Sequence, residues 1–486
     1  MKHRTWKASL AVLLLAALIL SLAACSAPPV PEAAASSPTA ETAAAAGADP
    51  APASTPEAAP APTLEPTPEP TPEPTPEPTP EPTPEPIVGE TLVDEDGDGV
   101  IPYRFTYKGS TVYVLFVLDP AQVFVGTALP EPTAYGGRGL TLDVLAGQYG
   151  AIAGINAGGF KDEDGAGAGW PPQGITYSLG VNFEGEESGP VAGLDGSDHL
   201  WVGYYSYEDC EAVGLRDAVS FGPYLVQNGV KADPAKLDSG IGARTLVGQR
   251  EDGVMVLVAI DGRQGYSIGL TMGDCIDIMA DKLGCVNAAN MDGGNSTCMI
   301  LYGEAVNRSA NQAAGTRVLP NAWLVAPLPE GYVRPEGVPE SVVIPDNALG
   351  DQREYEAEIT DEATLERLYT FSWVFTKAYY GYFGTQWYDK HYPDLSQYVA
   401  RECELRERMD LASMDRAWVN TRTNEVTALQ VDAVYQNADG SYDVYITLDM
   451  VERAPYWKYE ASGTRLRITV VEAPETPLGF LALATN

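Results

Sequence analysis

Five Thr-Pro-Glu-Pro repeats run without interruption over residues 67–86. Proline fixes φ and lacks a backbone N–H, so neither a helix nor a sheet ladder survives alternate prolines. The residues before the repeats, from Ser26 on, are mostly Ala, Pro, Thr and Glu, with little apolar surface to bury. Residues 26–90 are therefore expected to be a disordered, Pro-rich stalk of polyproline II character. At about 3.1 Å per residue the repeats alone reach roughly 60 Å. A folded head must lie beyond them.

On the other side of the stalk, Lys2, Arg4 and Lys7 precede a nearly unbroken apolar run from Ala8 to Leu22. The run ends in Leu22-Ala23-Ala24-Cys25, so residues 1–25 read as an export signal closing in a lipobox, with Cys25 lipidated after cleavage. An uncleaved transmembrane helix is the alternative, and the run is short for one. The expected location is the extracellular face of the cytoplasmic membrane, held by the N-terminal lipid only. Removing the three cationic residues of the leader from a formal charge of −37 leaves −40. That balance argues against nucleic acid and anionic membrane surfaces as partners. An anionic ligand would need a local group of arginines.

Histidine is nearly absent. Past the leader only His199 and His391 remain, far apart, which argues against a Ser-His-Asp or Cys-His hydrolase and a His-ligated zinc site. Cys210, Cys275, Cys285, Cys298 and Cys403 have no metal-like spacing. Buried free thiols are expected, with one disulfide left open.

About 400 residues follow the stalk, enough for two cores. Residues 91–328 alternate strands with short helices and read as a mixed α/β domain. Thr111–Leu118 and Gln122–Val125 are predicted as paired strands around Asp119-Pro120, and Met299–Tyr302 with Ala305–Asn307 as a hairpin. Asp274–Leu283 is the clearest helix, with a Thr271/Asp274 capping box and Gly284 as its stop. Residues 329–345 are a linker. Residues 346–486 read as helices followed by an antiparallel sheet, a smaller α+β domain resembling the nuclear-transport-factor-like (NTF2-like) folds in element order. Its aromatics from Tyr369 to Trp387 are expected in its core rather than on a carbohydrate platform. Asp94-Glu95-Asp96-Gly97-Asp98-Gly99 looks like the first half of a calcium loop, but Phe105 falls where the last ligand belongs. It reads as an acidic hinge or half a site.

Chemistry concentrates where apolar strands end. Gly154-Ile155-Asn156-Ala157-Gly158-Gly159-Phe160, Ala243-Arg244-Thr245, Asp261-Gly262-Arg263 and Asn290-Met291-Asp292-Gly293-Gly294-Asn295-Ser296 each place charged or amide side chains beside glycines. Such strand ends present carboxylates and backbone N–H groups to a ligand. With Gly222-Pro223, Gln227-Asn228-Gly229, Asn307 and Arg317, these segments follow the order and spacing of the phosphodiester glycosidase family, which the chain resembles over residues 150–326. One departure is Asn295, where the family usually has a third glycine.

The resemblance implies hydrolysis of a sugar 1-phosphodiester. The phosphate is already a good leaving group, so the reaction needs cationic donors on phosphate and a carboxylate near the anomeric carbon. Asp292 and Asp261 are the carboxylate candidates, each with a turn-capping alternative. Arg244, Arg263 and Arg317 are the candidates for phosphate, Arg263 equally a solvated loop charge. Asn156, Gly158, Gly159, Gly293, Gly294, Ser296 and Asn307 are the candidates for sugar hydroxyls and phosphate oxygens. The motifs require no cofactor and leave room for a divalent cation such as calcium. The expected substrate is a sugar-phosphate or polysaccharide of the envelope or an exopolysaccharide. A catalytically silent glycan-binding lipoprotein is the alternative, and a stalked assembly module whose C-terminal domain binds a protein partner is a third reading.

Overall fold

Along Met255–Ile260 the side chains divide two cores. Met255, Leu257 and Ala259 join one apolar cluster, and Val256, Val258 and Ile260 join another. That period-2 division belongs to a strand buried on both faces. The strand lies inside a seven-stranded sheet in the order Val230–Lys231, Tyr224–Gln227, Cys285–Met291, Arg244–Arg250, Met255–Ile260, Ser110–Val117, Val100–Tyr107. Its pairings are antiparallel.

The computed structural model describes residues 89–129, 137–161, 167–183, 188–237, 240–264, 267–308, 317–345, 355–384, 395–414, 423–454 and 457–485. Cys25, the leader, residues 26–88 of the expected stalk, His391 and Trp387 fall outside them. Two expected bounds are corrected: Gly89 and Glu90 open the strand Gly89–Val93, which pairs antiparallel with Ser341–Pro345 at the end of the expected linker, where Val342 and Ile344 are buried.

One face of the seven-stranded sheet carries helix Met272–Asp277, which continues through Ile278–Lys282 as a wider turn. The predicted capping box is present: Asp274 N–H donates to Thr271 Oγ1 (3.2 Å) and Thr271 N–H to Asp274 Oδ2 (2.9 Å). Met272, Cys275, Ile276, Met279 and Leu283 pack on that face. The opposite face meets a five-stranded sheet ordered Glu304–Ala305, Met299–Leu301, Ala153–Asn156, Asn321–Val325, Val123–Thr127. Ile155, Met299, Trp323 and Val325 fill the layer between them.

The expected pairing around Asp119-Pro120 is corrected. Ser110–Val117 belongs to the seven-stranded sheet and Val123–Thr127 to the five-stranded one. Asp119 caps a single 3-10 turn, Pro120–Gln122, by accepting from Ala121 N–H (3.0 Å), and this corner carries the chain between layers. Both strands bury almost every side chain, so neither could lie at a half-solvated hairpin edge. The hairpin of Met299–Leu301 with Glu304–Ala305 forms as expected.

The C-terminal domain packs helices Glu362–Gly384 and Glu404–Met414 against an antiparallel sheet, Ala357–Glu358, Thr423–Gln436, Tyr442–Ala454, Trp457–Glu472, Phe480–Thr485. Phe371, Phe375, Tyr379 and Tyr380 lie in its core, as the sequence suggested, whereas Tyr369 at the start of the run is exposed because it falls on the outer face of the helix. The domain shares the compact unit Thr83–Asn486 with the rest of the described chain. Among the described residues all five cysteines are free thiols, and no helix is long and apolar enough to cross a membrane.

Candidate functional site

Three strand ends converge. Ala153–Asn156 runs out into Ala157-Gly158-Gly159-Phe160, Cys285–Met291 into Asp292-Gly293-Gly294, and Arg317 to Pro320 lead into Asn321–Val325. Backbone bonds fasten the first two, since Asp292 N–H donates to Ala157 C=O (2.9 Å).

Asn156 is the rivet. It is fully buried; its Nδ2 donates to the Asp292 carbonyl (2.6 Å), and its Oδ1 accepts from Thr245 Oγ1 (2.8 Å) and Cys298 N–H (3.0 Å). An amide used in this way positions the turn at Asp292 instead of reaching toward a ligand.

Asp292 itself is half-buried. Burial raises its carboxyl above the ordinary carboxylate range, opposed by the Ser296 hydroxyl, the Arg317 guanidinium and the Gly293 N–H. Arg317 also stacks on Phe160, its guanidinium carbon 4.6 Å from the ring centroid. A partly desolvated carboxyl beside a cation and an N–H donor is the arrangement a substrate carrying one negative charge could enter.

The turn after Asp292 lies flat on its neighbours. Gly294 N–H donates to Ala243 C=O (2.9 Å), and a Cβ on Gly293 would stand 2.9 Å from that same oxygen. Gly294 has φ +61°, and a Cβ there would fall 2.8 Å from Arg263 Nη1. The Arg263 guanidinium thus covers this turn. Asn295 follows in the 3-10 turn Gly294–Ser296 with φ outside the positive range, so its backbone does not require a glycine.

The remaining expected residues are placed elsewhere. Asp261 is fully buried, its carboxylate accepting from Arg308 N–H (3.0 Å), Asn307 Nδ2 (3.2 Å) and Tyr113 OH (3.3 Å). It holds loops together, and so does Asn307, whose Oδ1 accepts from Met299 N–H (2.7 Å). Arg244 donates through Nε to Leu270 C=O (3.0 Å) and through Nη2 to Gly240 C=O. Thr245 beside it bonds Asn156, so alternation along the strand turns Arg244 to the other face. Gly158 N–H donates to Asn321 Oδ1 (2.7 Å), and Gly159 lies against Phe221. The structure therefore brings together Asp292, Ser296, Arg317, Arg263 and the Gly158–Phe160 turn, and leaves Asp261, Asn307 and Arg244 as supports. Sequence reasoning did not select Asn321 or Arg308. Arg308 directly follows Asn307 and Asn321 opens a strand past Arg317, but nothing in spacing separates a loop-tying side chain from a ligand-binding one.

Residues 149–326 match the family model described as phosphodiester glycosidase. The chain is similar to that family over this stretch, which is less than half of its length. A curated relative of the chain, SPbeta prophage-derived uncharacterized protein YomE of Bacillus subtilis (strain 168), is 25% identical over 203 residues, covering 39% of this chain and 29% of that protein. The chain thus spans less than a third of that relative. Among solved structures, the catalytic domain of zebrafish N-acetylglucosamine-1-phosphodiester alpha-N-acetylglucosaminidase, auto-inhibited by its pro-peptide, aligns at 19% identity and TM-score 0.41 over 49% of this chain and 88% of that one. A hypothetical protein from Synechocystis aligns at 17% identity and TM-score 0.34, over 46% and 61%. The glycosidase domain contributes every residue of the group around Asp292.

The acidic loop shares no residue with that group. Asp94, Asp96 and Asp98 each bring a carboxylate oxygen within 4.8 Å of the others. Asp94 accepts from Gly97 N–H (2.9 Å) and Gly99 N–H (3.0 Å), and the Tyr302 hydroxyl reaches Asp96 (2.9 Å) and Asp98. The Tyr302 bonds pin the 301–304 hairpin to the loop.

Proposed function

We propose that the glycosidase domain hydrolyses a sugar 1-phosphodiester at the bond between the anomeric carbon and phosphate oxygen. The observation that carries this reading is the half-buried Asp292 carboxyl, set between Arg317, which stacks on Phe160, and the Gly293-Gly294 turn covered by Arg263. Water attacks the anomeric carbon and loses its proton to Asp292. The C1–O bond breaks, and its electron pair stays on the phosphate oxygen. The products are free sugar and a phosphate monoester. Arg317 and Arg263 receive the phosphate charge, which histidine need not protonate because phosphate leaves readily. Asp261 takes no part in this scheme, since its oxygens are spent on Arg308, Asn307 and Tyr113.

From the leader, the lipobox and the Pro-rich repeats we also propose that the protein lies outside the cytoplasmic membrane, tethered through a lipid on Cys25 and raised by the stalk. Its substrate there is a phosphodiester of an envelope glycan or exopolysaccharide. Incubating the unit Thr83–Asn486 with N-acetylglucosamine 1-phosphate esters in ¹⁸O-water tests the chemistry. Free sugar carrying the label, with an unlabelled phosphate monoester, is the expected result. Measurable binding with no release across several sugars would instead make the protein a silent glycan-binding lipoprotein.

A further inference from the structure

The loops behind Arg263 are not held by the glycosidase domain alone. Residues 240–243, 263–264 and 267–270 are zipped together: Leu270 N–H donates to Gly242 C=O (3.0 Å), Gly242 N–H to Leu270 C=O (3.3 Å), and Arg263 N–H to Ile268 C=O (3.2 Å). On one side this pair of loops supplies Ala243 C=O to Gly294 N–H and the Arg263 guanidinium that covers Gly294. On the other side Ile241 and Ile268 are buried in the apolar core of the C-terminal domain, in the cluster of Phe371, Phe375 and Leu448. Two apolar tips from one domain thus complete the core of another.

Two arginines bolt the loops down from opposite directions. Arg308 leaves the glycosidase domain and pairs with Glu452 of the C-terminal sheet (2.7 Å), both side chains almost wholly buried. Its guanidinium lies 3.9 Å from the centroid of the Tyr459 ring, and its own N–H holds Asp261, two residues before Arg263. Arg408 comes the other way, from Glu404–Met414. It donates to Gly269 C=O (3.0 Å), Lys108 C=O (3.0 Å) and the Asp274 carboxylate (3.0 Å). Asp274 also binds Lys108 Nζ (2.9 Å) and so ties the glycosidase helix into the same joint. Buried ion pairs of this kind give little net stability but fix geometry, because either partner alone would be a buried unpaired charge.

We propose that the C-terminal domain braces the phosphodiester site from behind, with Glu452, Tyr459 and Arg408 as positioning residues that hold Arg263 over the Gly293-Gly294 turn. The proposal rests on the reading of that turn as a phosphate-binding one. It assigns the domain a role inside the reaction and makes an independently mobile C-terminal module incompatible with activity.

Amide hydrogen exchange of the unit Thr83–Asn486 without substrate tests it directly. In Glu452→Gln, and in Tyr459→Leu, the amides of Gly242, Leu270 and Gly294 should exchange at least about tenfold faster than in the parent protein. Asp432→Asn is the control; it alters an exposed carboxylate that accepts from Thr447 Oγ1 on the same sheet, outside the apolar cluster that holds Ile241 and Ile268. It should leave those amides unchanged. Affinity for N-acetylglucosamine 1-phosphate should fall at least about tenfold in the first two variants and not in the control. Unchanged exchange in both variants, equal acceleration by the control, or unchanged affinity despite faster exchange would overturn the proposal. If Glu452→Gln fails to fold, Tyr459→Leu carries the test, since it keeps the ion pair. A parent protein that shows the exchange pattern but binds no phosphosugar would sink the glycosidase reading alone.

Discussion

Gly294→Ala separates a structural glycine from a functional one. The backbone there is left-handed, at φ +61°. An alanine in that region costs about 1–2 kcal/mol. Its Cβ would stand 2.8 Å from Arg263 Nη1, closer than packed atoms allow. The end of an arginine is flexible, so the guanidinium moves and the turn keeps its place. Urea denaturation should therefore show a loss of about 1–2 kcal/mol and no more. If Arg263 holds phosphate, displacing it removes charge-assisted bonds of about 1.5–3 kcal/mol, a roughly tenfold to hundredfold loss of phosphosugar affinity. Calorimetric titration reads that loss, and a cycle with Arg263→Ala locates it. The double variant should bind no worse than Arg263→Ala alone. Full additivity, or Gly294→Ala affinity within twofold of the parent, would refute the argument that this glycine acts through Arg263.

Other outcomes follow from the same geometry. Asp292 has a folded-state pKa above its ordinary 3.8 because burial disfavours its charge, so its ionisation costs stability as pH rises from the unfolded value toward the folded one. Asp292→Asn should abolish turnover, raise Tm above the parent at pH 7, and match the parent near pH 3; an unchanged Tm at pH 7 would contradict the burial argument. Asn156→Ala strips partners from the Asp292 carbonyl, the Thr245 hydroxyl and the Cys298 N–H. At about 1–3 kcal/mol for each buried group left unpaired, denaturation should show a loss of at least ~3 kcal/mol, and a smaller one would mean that the turn can repack. Burial pushes the thiols of Cys275 and Cys298 up to about 12 and that of Cys210 to about 11, and raises that of Cys285 as well. These four should resist a thiol reagent at pH 8 until the protein is unfolded; rapid native labelling would show an open core.

Much of the chain was legible without coordinates. The capping box, the 299–305 hairpin, the core strands and the aromatic core of the C-terminal domain are local patterns, and local patterns follow from side-chain period and turn chemistry. The expected pairing around Asp119-Pro120 failed for a reason of the same kind. A short turn between two apolar strands fits a hairpin and a corner between layers equally well, and burial on both faces decides between them.

Within the candidate site, sequence alone determined which segments carry chemistry: the strand ends at Asn156, Arg244, Asp261 and Asp292, rich in glycine and charge and almost without histidine. It could not divide them into residues that meet a ligand and residues that hold the loops. Asp261 and Asp292 each follow an apolar strand and precede a glycine, yet one is sealed against Arg308 and Asn307 while the other stands half-open beside Arg317. Only the tertiary structure made that choice, because burial and partner geometry come from strands far apart in the chain. The same holds for the C-terminal domain. Ile241 and Ile268 read as ordinary apolar loop residues until the fold inserts them into a core more than a hundred residues away along the chain, where hydrophobic burial and two buried arginines fix what periodicity cannot show.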